Sequence, residues 1–194
     1  VAELGRIDVV IANAGFGIVG LVEKLSIEQY RQQFETNIYG VIRTVQATLS
    51  EVKKTKGCIA IVGSVNGYIP LPGNSPYSMS KFAVRAFAKA LRYEMKPQGV
   101  SVTHIAPGFV ETEIRKVDNR GVYHEEATDK IPDWLQMKAD VAARKILFAI
   151  QMRRAERVVT AHGQFAVWIE RFFPVIFAFL INKMGLKARP EAAK

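Results

Sequence analysis

The chain has 194 residues, of which 49% are hydrophobic and 23% are charged, so it can bury one sizeable core and is not of the disordered class. Cys58 is the only cysteine, which excludes an intrachain disulfide, and no cluster of His or Cys has metal-ligand spacing. Residues 1–6 lack the apolar run of a secretory signal. We therefore predict a protein of a reducing compartment, cytoplasmic in the simplest case, with no metal site.

The net charge of +9 is concentrated near the end of the chain. Residues 1–137 hold 16 basic and 14 acidic side chains, whereas residues 138–194 hold 11 basic and 4 acidic ones. A basic segment of this kind is compatible with nucleic-acid binding, with contact to a membrane surface, or with solubility alone.

Short apolar runs alternate with helical patterns along the chain. The runs are nearly continuous in Val, Ile and Ala, which is typical of parallel strands covered on both faces. They lie at 7–12, 58–62, 100–105 and 157–161, and the helical patterns lie at 27–52, 75–96 and 139–152. The alternation predicts an α/β fold with a doubly wound parallel sheet. Strand 7–12 would form a very apolar edge, so we expect further strands to pair with it.

The first predicted helix carries recognisable end signals and one unusual polar residue. Ser26 and Gln29 form a capping box, and Gly57 stands where a helix is expected to stop. Asn37 follows Phe34 by three positions and therefore falls on the apolar stripe of the helix. Because an unpaired buried amide is costly, we expect Asn37 to have a buried partner, although an exposed face is the simpler alternative.

The helix predicted from residue 75 carries Tyr77 and Lys81. Spacing of i, i+4 places the phenol and the ammonium on one helix face. A neighbouring ammonium favours phenolate, which makes a tyrosine useful as a general acid or base at neutral pH. Such a pair also arises by chance in a chain of this composition, so it carries weight only together with other signals.

Three predicted strands end in small or polar residues. Asn13, Ala14 and Gly15 follow the first strand, Ser64 follows the second, and Pro107-Gly108 follows the third. Ligands of open α/β sheets bind outside the carboxyl ends of the strands. Each of these residues taken singly is compatible with ordinary turn chemistry, but their coincidence favours a binding site.

In these signatures the chain resembles the short-chain dehydrogenase/reductase family. The shared features are Asn13-Ala14-Gly15, Asn37, Ser64 with Tyr77-x-x-x-Lys81, and the run from Pro107 to Thr112. The resemblance covers residues 1–161, which we interpret as a partial Rossmann-like catalytic domain without its N-terminal strands. Residues 162–194 resemble the family less and form an apolar, basic helical tail.

The resemblance implies a role for each catalytic candidate. Tyr77 would exchange a proton with the substrate oxygen, and Ser64 would orient that oxygen. Lys81 would lower the pKa of Tyr77 and bind the nicotinamide ribose. Asn37 would interrupt a helical hydrogen bond and hold a water linked to Lys81.

The resemblance also implies a dinucleotide site and a reaction. Hydride would pass between NAD or NADP and a carbonyl or alcohol substrate, and we expect a homo-oligomer. The cofactor-binding residues would be Asn13, Ala14, Gly15, Tyr77, Lys81, Pro107, Gly108, Val110 and Thr112. Residues 107–112 would pack on the nicotinamide, with Thr112 near its carboxamide, and residues 13–15 would line the adenosine side.

The family's Gly-rich phosphate-binding turn has no counterpart in this sequence. Residues 16–20 contain glycines but do not lead directly into a helix, so we predict a loop there. The prediction is therefore for either NAD or NADP. A non-catalytic fragment or interaction protein remains the alternative function, and a sugar epimerase or dehydratase is a lesser enzymatic one.

Apolar residues beyond the motifs suggest the substrate and a surface. Trp134, Leu135, Met137 and residues 68–71 indicate either an apolar substrate or ordinary packing against the sheet. Residues 165–189 combine many aromatics with basic residues, a composition typical of interfacial membrane contact. A dimer contact and a wall of the substrate pocket are alternatives, whereas nucleic-acid binding is disfavoured.

Overall fold

A computed structural model describes residues 1–127 and 131–183. Its sheet contains four parallel strands in chain order: β1 (Val9–Ala12), β2 (Cys58–Val62), β3 (Ser101–Ala106) and β4 (Glu156–Val158). The predicted parallel α/β fold is confirmed, and the range of β2 is as predicted. The strand predicted at 157–161 is wrong in its bounds, because β4 stops at Val158 and a helix begins at Ala161.

Six α-helices surround the sheet in the described ranges. They are α1 (Ile27–Phe34), α2 (Val41–Thr55), α3 (Ser75–Met95), α4 (Ala139–Gln151), α5 (Ala161–Phe172) and α6 (Pro174–Lys183). The single helix predicted over 27–52 is wrong, since Glu35–Gly40 form a wider π-helical segment between α1 and α2. The capping box of Ser26 and Gln29 is present at the start of α1.

Both faces of the inner strands β2 and β3 are covered, as a doubly wound arrangement requires. Side chains of β2 alternate: Ile59 and Ile61 join a core cluster with residues of α2 and α3, while Cys58 and Ala60 face Ile150 of α4. The α2 and α3 side of this core contains Val45, Val52, Val84, Ala88 and Leu91. Burial of β2 on both faces explains why this strand is continuous in apolar residues.

Strand β1 is an edge strand of this sheet. Val10 and Ala12 are buried on one face, whereas Val9 and Ile11 remain 46% and 45% exposed on the other. The expectation of an apolar edge is confirmed. That another segment pairs with this edge stays a prediction.

Helices α5 and α6 pack partly against the carboxyl ends of β3 and β4. Ala166, Val167 and Phe177 pack against the buried cluster of Tyr68, Ile69 and Ala106. The boundary proposed at residue 161 coincides with the start of α5 and stays a prediction. Nowhere in ranges 1–127 and 131–183 is a helix long and apolar enough to cross a bilayer. The part of segment 165–189 beyond Lys183, with Lys187 and Arg189, lies outside the described residues.

Candidate active site

Helix α3 holds the tyrosine and the lysine one turn apart beneath the carboxyl end of β2. Lys81 is 5% exposed, and its Nζ donates a hydrogen bond to the Val62 carbonyl oxygen at 3.1 Å. The same Nζ lies 5.5 Å from the centroid of the Tyr77 ring. The i, i+4 spacing thus places Tyr77 and Lys81 on one face of α3, as helical geometry requires. The hydrogen bond of Lys81 to Val62 connects this face to the end of β2.

The environment of Tyr77 raises the pKa of its phenol. Burial is the largest cause, while a hydrogen bond with the Ser64 side chain and the positive charge of Arg115 act in the opposite direction. That Lys81 also lowers the Tyr77 pKa stays a prediction. Its Nζ is bonded to a backbone oxygen, and burial lowers the pKa of Lys81 itself to about 8.

Ser64 is positioned by backbone hydrogen bonds on both sides. Gly63 N–H donates to the Ile105 oxygen at 2.7 Å, and Val65 N–H donates to the Pro107 oxygen at 2.9 Å. The Ser64 hydroxyl accepts a hydrogen bond from Asn66 N–H at 3.1 Å. The turn after β2 is therefore tied to β3 and the segment that follows it, which fixes the serine beside Tyr77.

Asn37 connects the loop after β1 to helix α3. It is 1% exposed, its Oδ1 accepts from Phe16 N–H at 3.1 Å, and its Nδ2 donates to the Phe16 oxygen at 3.0 Å. Nδ2 also donates to Ser80 Oγ at 3.0 Å, and this hydroxyl donates to the Tyr77 carbonyl oxygen at 2.7 Å. The predicted buried partner of Asn37 is thus present. A water held by this residue stays a prediction.

Gln33 is a second buried amide that sequence reasoning missed. It precedes Asn37 by one helical turn and is completely buried. Its Oε1 accepts from Ile18 N–H at 2.6 Å, and its Nε2 donates to the Phe16 oxygen at 2.8 Å. The i, i+4 spacing on one apolar stripe was a signal that could have identified it.

The loop at 13–20 borders the tyrosine and lysine. Asn13 and Ala14 are exposed just beyond β1. A Cβ at Gly15 would lie 3.6 Å from Lys81 Nζ, and one at Gly17 would lie 3.5 Å from the Tyr77 ring. The structure therefore brings Gly15 of the 13–15 signature next to Lys81, and a cofactor contact of Asn13 and Ala14 stays a prediction.

The segment Pro107–Thr112 follows β3 on the same side of the sheet. Phe109 N–H donates to His162 Nε2 at 3.1 Å, and the Val110 oxygen accepts from Arg115 at 2.9 Å. Thr112 Oγ1 accepts from Ile114 N–H at 3.4 Å and caps a short helical turn. Sequence reasoning missed Arg115 and His162, because no local spacing links either of them to this segment.

The apolar residues proposed for the substrate occupy different environments. Tyr68 and Ile69 are buried in the cluster beneath α5, and Met137 packs with Val110. Trp134 is 83% exposed. Packing against the sheet thus explains why Tyr68 and Ile69 are apolar. An apolar substrate stays a prediction, and the exposed Trp134 side chain is accessible to such a substrate.

The sequence is similar to that of known oxidoreductases. A family model described as short chain dehydrogenase matches residues 1–122. The chain is 30% identical over 197 residues to Dehydrogenase/reductase SDR family member 7B of Xenopus laevis, covering 97% of this chain and 58% of the relative. It is 38% identical over 115 residues to the uncharacterized oxidoreductase YusZ of Bacillus subtilis, covering 59% and 41%. The chain thus spans about two to three fifths of these relatives.

Solved structures share the fold. A short chain dehydrogenase from Burkholderia cenocepacia in complex with NADP has a TM-score of 0.80 at 22% identity, covering 93% of this chain and 70% of that one. An alcohol dehydrogenase from Thermococcus sibiricus complexed with 5-hydroxy-NADP has a TM-score of 0.65 at 27% identity, covering 81% and 64%. By its fold, its motifs and the family match, the chain belongs to the short-chain dehydrogenase/reductase family.

Proposed function

We propose that the protein is an NAD(P)-dependent oxidoreductase that interconverts a carbonyl compound and an alcohol. One observation carries this proposal: the Tyr77 phenol, the Ser64 hydroxyl and the Lys81 ammonium meet at the carboxyl end of β2. The relatives named above as dehydrogenases and oxidoreductases, and the neighbours complexed with NADP or a derivative, support it.

The residues present fit the ribose of a nicotinamide nucleotide. An ammonium has three donors, and within the described ranges Lys81 donates to one acceptor, the Val62 oxygen. The remaining N–H groups are suited to vicinal hydroxyls beside Tyr77. Asn13, Ala14 and Gly15 would line the adenosine side of the cofactor, and Pro107, Gly108, Val110 and Thr112 would lie against the nicotinamide.

In this mechanism the protein moves the proton and holds the reacting groups in place. When bound, the cofactor supplies or accepts the hydride. Ser64 would hydrogen-bond to the substrate oxygen, and Tyr77 would donate the proton in reduction or accept it in oxidation. The Arg115 charge and the Ser64 hydroxyl favour phenolate, in opposition to burial. Asn37 and Ser80 hold the start of α3, so that Tyr77 keeps its position relative to the loop after β1.

Replacement of Tyr77 by Phe tests this function. In the native protein, Y77F should reduce NAD(P)H-dependent turnover of a panel of apolar ketones and aldehydes by at least about a hundredfold, the lower end of what general acid–base catalysis contributes. Tyr93→Phe is the matched control, because Tyr93 lies on the same helix and is 64% exposed. Circular dichroism would establish that both variants are folded. Full activity of Y77F would refute the role of Tyr77, and absence of cofactor binding by the wild type would favour the non-catalytic alternative.

We also propose that α5 and α6 present a surface for peripheral membrane contact. Phe165, Trp168 and Phe179 are between 50% and 64% exposed, and Val175 is 80% exposed. Arg171 lies over the ring of Phe172, 5.6 Å from its centroid. Aromatic side chains beside cations suit the interface of an anionic bilayer. We expect a homo-oligomer and a cytoplasmic location otherwise.

Co-sedimentation with vesicles tests the membrane surface. The native protein should sediment with vesicles containing about 30% phosphatidylserine at low salt and less with neutral vesicles. Replacement of Phe179 and Val175 by Ser should weaken this binding, whereas Tyr93→Ser, an exposed aromatic on α3, should not. Failure of the wild type to bind at low salt would refute the surface, and a dimer lost in the double variant would assign it to self-association.

A further inference from the structure

His162 lies behind the segment Pro107–Thr112, to which the proposed function assigns contact with the nicotinamide. It belongs to the first turn of α5, and its imidazole stacks on the Phe109 ring at 5.3 Å between centroids with an interplanar angle of 24°. Its Nε2 accepts the hydrogen bond from Phe109 N–H at 3.1 Å. A side chain more than fifty residues away thus satisfies a backbone donor of the segment.

The contact between the two segments is close-packed. A Cβ at Gly108 would lie 2.8 Å from His162 Nε2 and 2.2 Å from Thr160 Oγ1, so only glycine allows this approach. Thr160 is completely buried. Thr160 and His162, which follow β4, therefore pack closely against Gly108. The hydrogen bond between Phe109 N–H and His162 fixes the orientation of the segment 107–112 relative to α5.

We propose that His162 is a positioning residue that holds Pro107–Thr112 in its cofactor-binding shape by accepting the Phe109 N–H. This inference rests on the proposed function. Only an unprotonated Nε2 can accept this bond, so the neutral tautomer with its proton on Nδ1 is the competent one. Protonation of Nε2 would place a second N–H donor against the Phe109 N–H, and the repulsion would displace the segment.

The surroundings favour the neutral form of the imidazole. Burial lowers the pKa of His162, and no charged side chain in the described parts of the chain contributes to the shift. Among the described residues, the Phe109 ring and amide contact the imidazole, Gly108 lies against its Nε2, and none of these groups titrates near neutral pH. The first turn of α5 also carries the positive end of the helix dipole, which opposes a cation there.

Two variants separate the hydrogen bond from the packing. His162→Gln retains a side-chain acceptor at a similar distance from the backbone but does not titrate. His162→Phe retains an aromatic ring on Phe109 and removes the acceptor. His124→Gln is the matched control, since His124 is an exposed histidine whose Nε2 pairs with Asp118.

The first measurement follows the Phe109 amide by NMR in the native protein labelled with ¹⁵N-phenylalanine, without cofactor, between pH 8 and pH 5. Its resonance should shift with a single titration in the wild type and in H124Q, and the titration should be absent in H162Q and H162F. A Phe109 amide that titrates identically in H162Q would overturn the inference. The wild-type titration does not depend on whether a variant folds. A wild-type Phe109 amide resonance that stays constant down to pH 5, and that has the same position in H162F, would also overturn the inference.

The second measurement determines the dissociation constant of NADPH and NADH over the same pH range. Affinity of the wild type should fall on acidification, and H162Q should lose that dependence. H162F should bind about five-fold more weakly even at pH 8, as expected for one lost hydrogen bond. Cofactor binding with equal pH dependence in wild type and H162Q would refute the inference alone. Absence of binding by the wild type at every pH would refute the proposed function.

Discussion

Acidification should destabilise the protein through His104, a histidine in the middle of β3. Its side chain is completely buried, Nδ1 lies 3.3 Å from the Tyr68 hydroxyl, and Nε2 has no hydrogen-bond partner among the described residues. A Cβ at Gly63 would lie 2.2 Å from this Nε2. The ring is therefore packed on one side and has no room for the hydration that a cation requires.

Charged groups around His104 act in both directions. Burial is the main cause that lowers its pKa, to about 4. Glu156 Oε1 is 3.8 Å from Nδ1 and raises the pKa, but the same carboxylate is bound by Arg85 at 3.0 Å. Arg85, Lys81 and Arg92 lower the pKa further through their positive charges. The anion that would stabilise a protonated ring is thus already paired.

The magnitude follows from proton linkage. In the unfolded chain the pKa of a histidine is about 6.5, so at pH 5 the unfolded state binds a proton that the native state excludes. Acidification therefore favours unfolding, and the stability is fully present above about pH 6.5 and is lost towards pH 4. At pH 5, one and a half units below the unfolded pKa, the loss amounts to about 2 kcal/mol.

Urea unfolding of the native protein at pH 7.5 and pH 5.0 measures this loss. The difference in unfolding free energy between the two pH values should be about 2 kcal/mol smaller in His104→Gln than in the wild type. Comparison within each variant cancels the cost of the substitution itself. Equal losses in both proteins, or an NMR titration of His104 near its ordinary pKa, would refute the reasoning.

Two further substitutions test the close contacts around the site. Gly108→Ala should cost about 1–3 kcal/mol in urea unfolding and weaken NADPH binding, because the new methyl group overlaps buried Thr160. Gly40→Ala is its control, since a Cβ there meets Glu35 O at an ordinary 3.7 Å, and equal stability losses would contradict the argument. Asn37→Ala should cost about 1–3 kcal/mol by leaving Phe16 N–H unpaired. Loss of the exposed Gln32 side chain in Gln32→Ala should cost much less, and a similar cost would contradict the assigned bonds.

Local patterns were sufficient where one short segment contains the signal. Residues 58–62 form a strand because they are apolar throughout and lie between two covered faces. The capping box of Ser26 needs only its own turn of helix. The helical repeat of 27–52 hid the π-helical segment at 35–40, since one extra residue per turn disturbs an apolar stripe only slightly.

Contacts between distant segments were beyond the reach of pattern reasoning. Spacing places Lys81 beneath Tyr77 but does not reveal that its Nζ binds the Val62 oxygen or that burial lowers its pKa. Likewise, His162 meets Phe109 only because β3 and β4 are neighbours in the sheet. The strand predicted at 157–161 ended too late because Val159 and Thr160 are buried without being part of β4.

Transfer of deuterium from NADPH and NADH that carry deuterium at both C4 positions tests the central claim most directly, because label on either face of the nicotinamide is then detected. With the native protein and an apolar carbonyl substrate, the label should appear on the former carbonyl carbon of the alcohol product. Y77F should bind the cofactor but yield no labelled product, and Y93F should match the wild type. Labelled product formed equally by Y77F, or no transfer by a wild-type protein that binds cofactor and substrate, would contradict the assignment of Tyr77 and its neighbours as the reacting site.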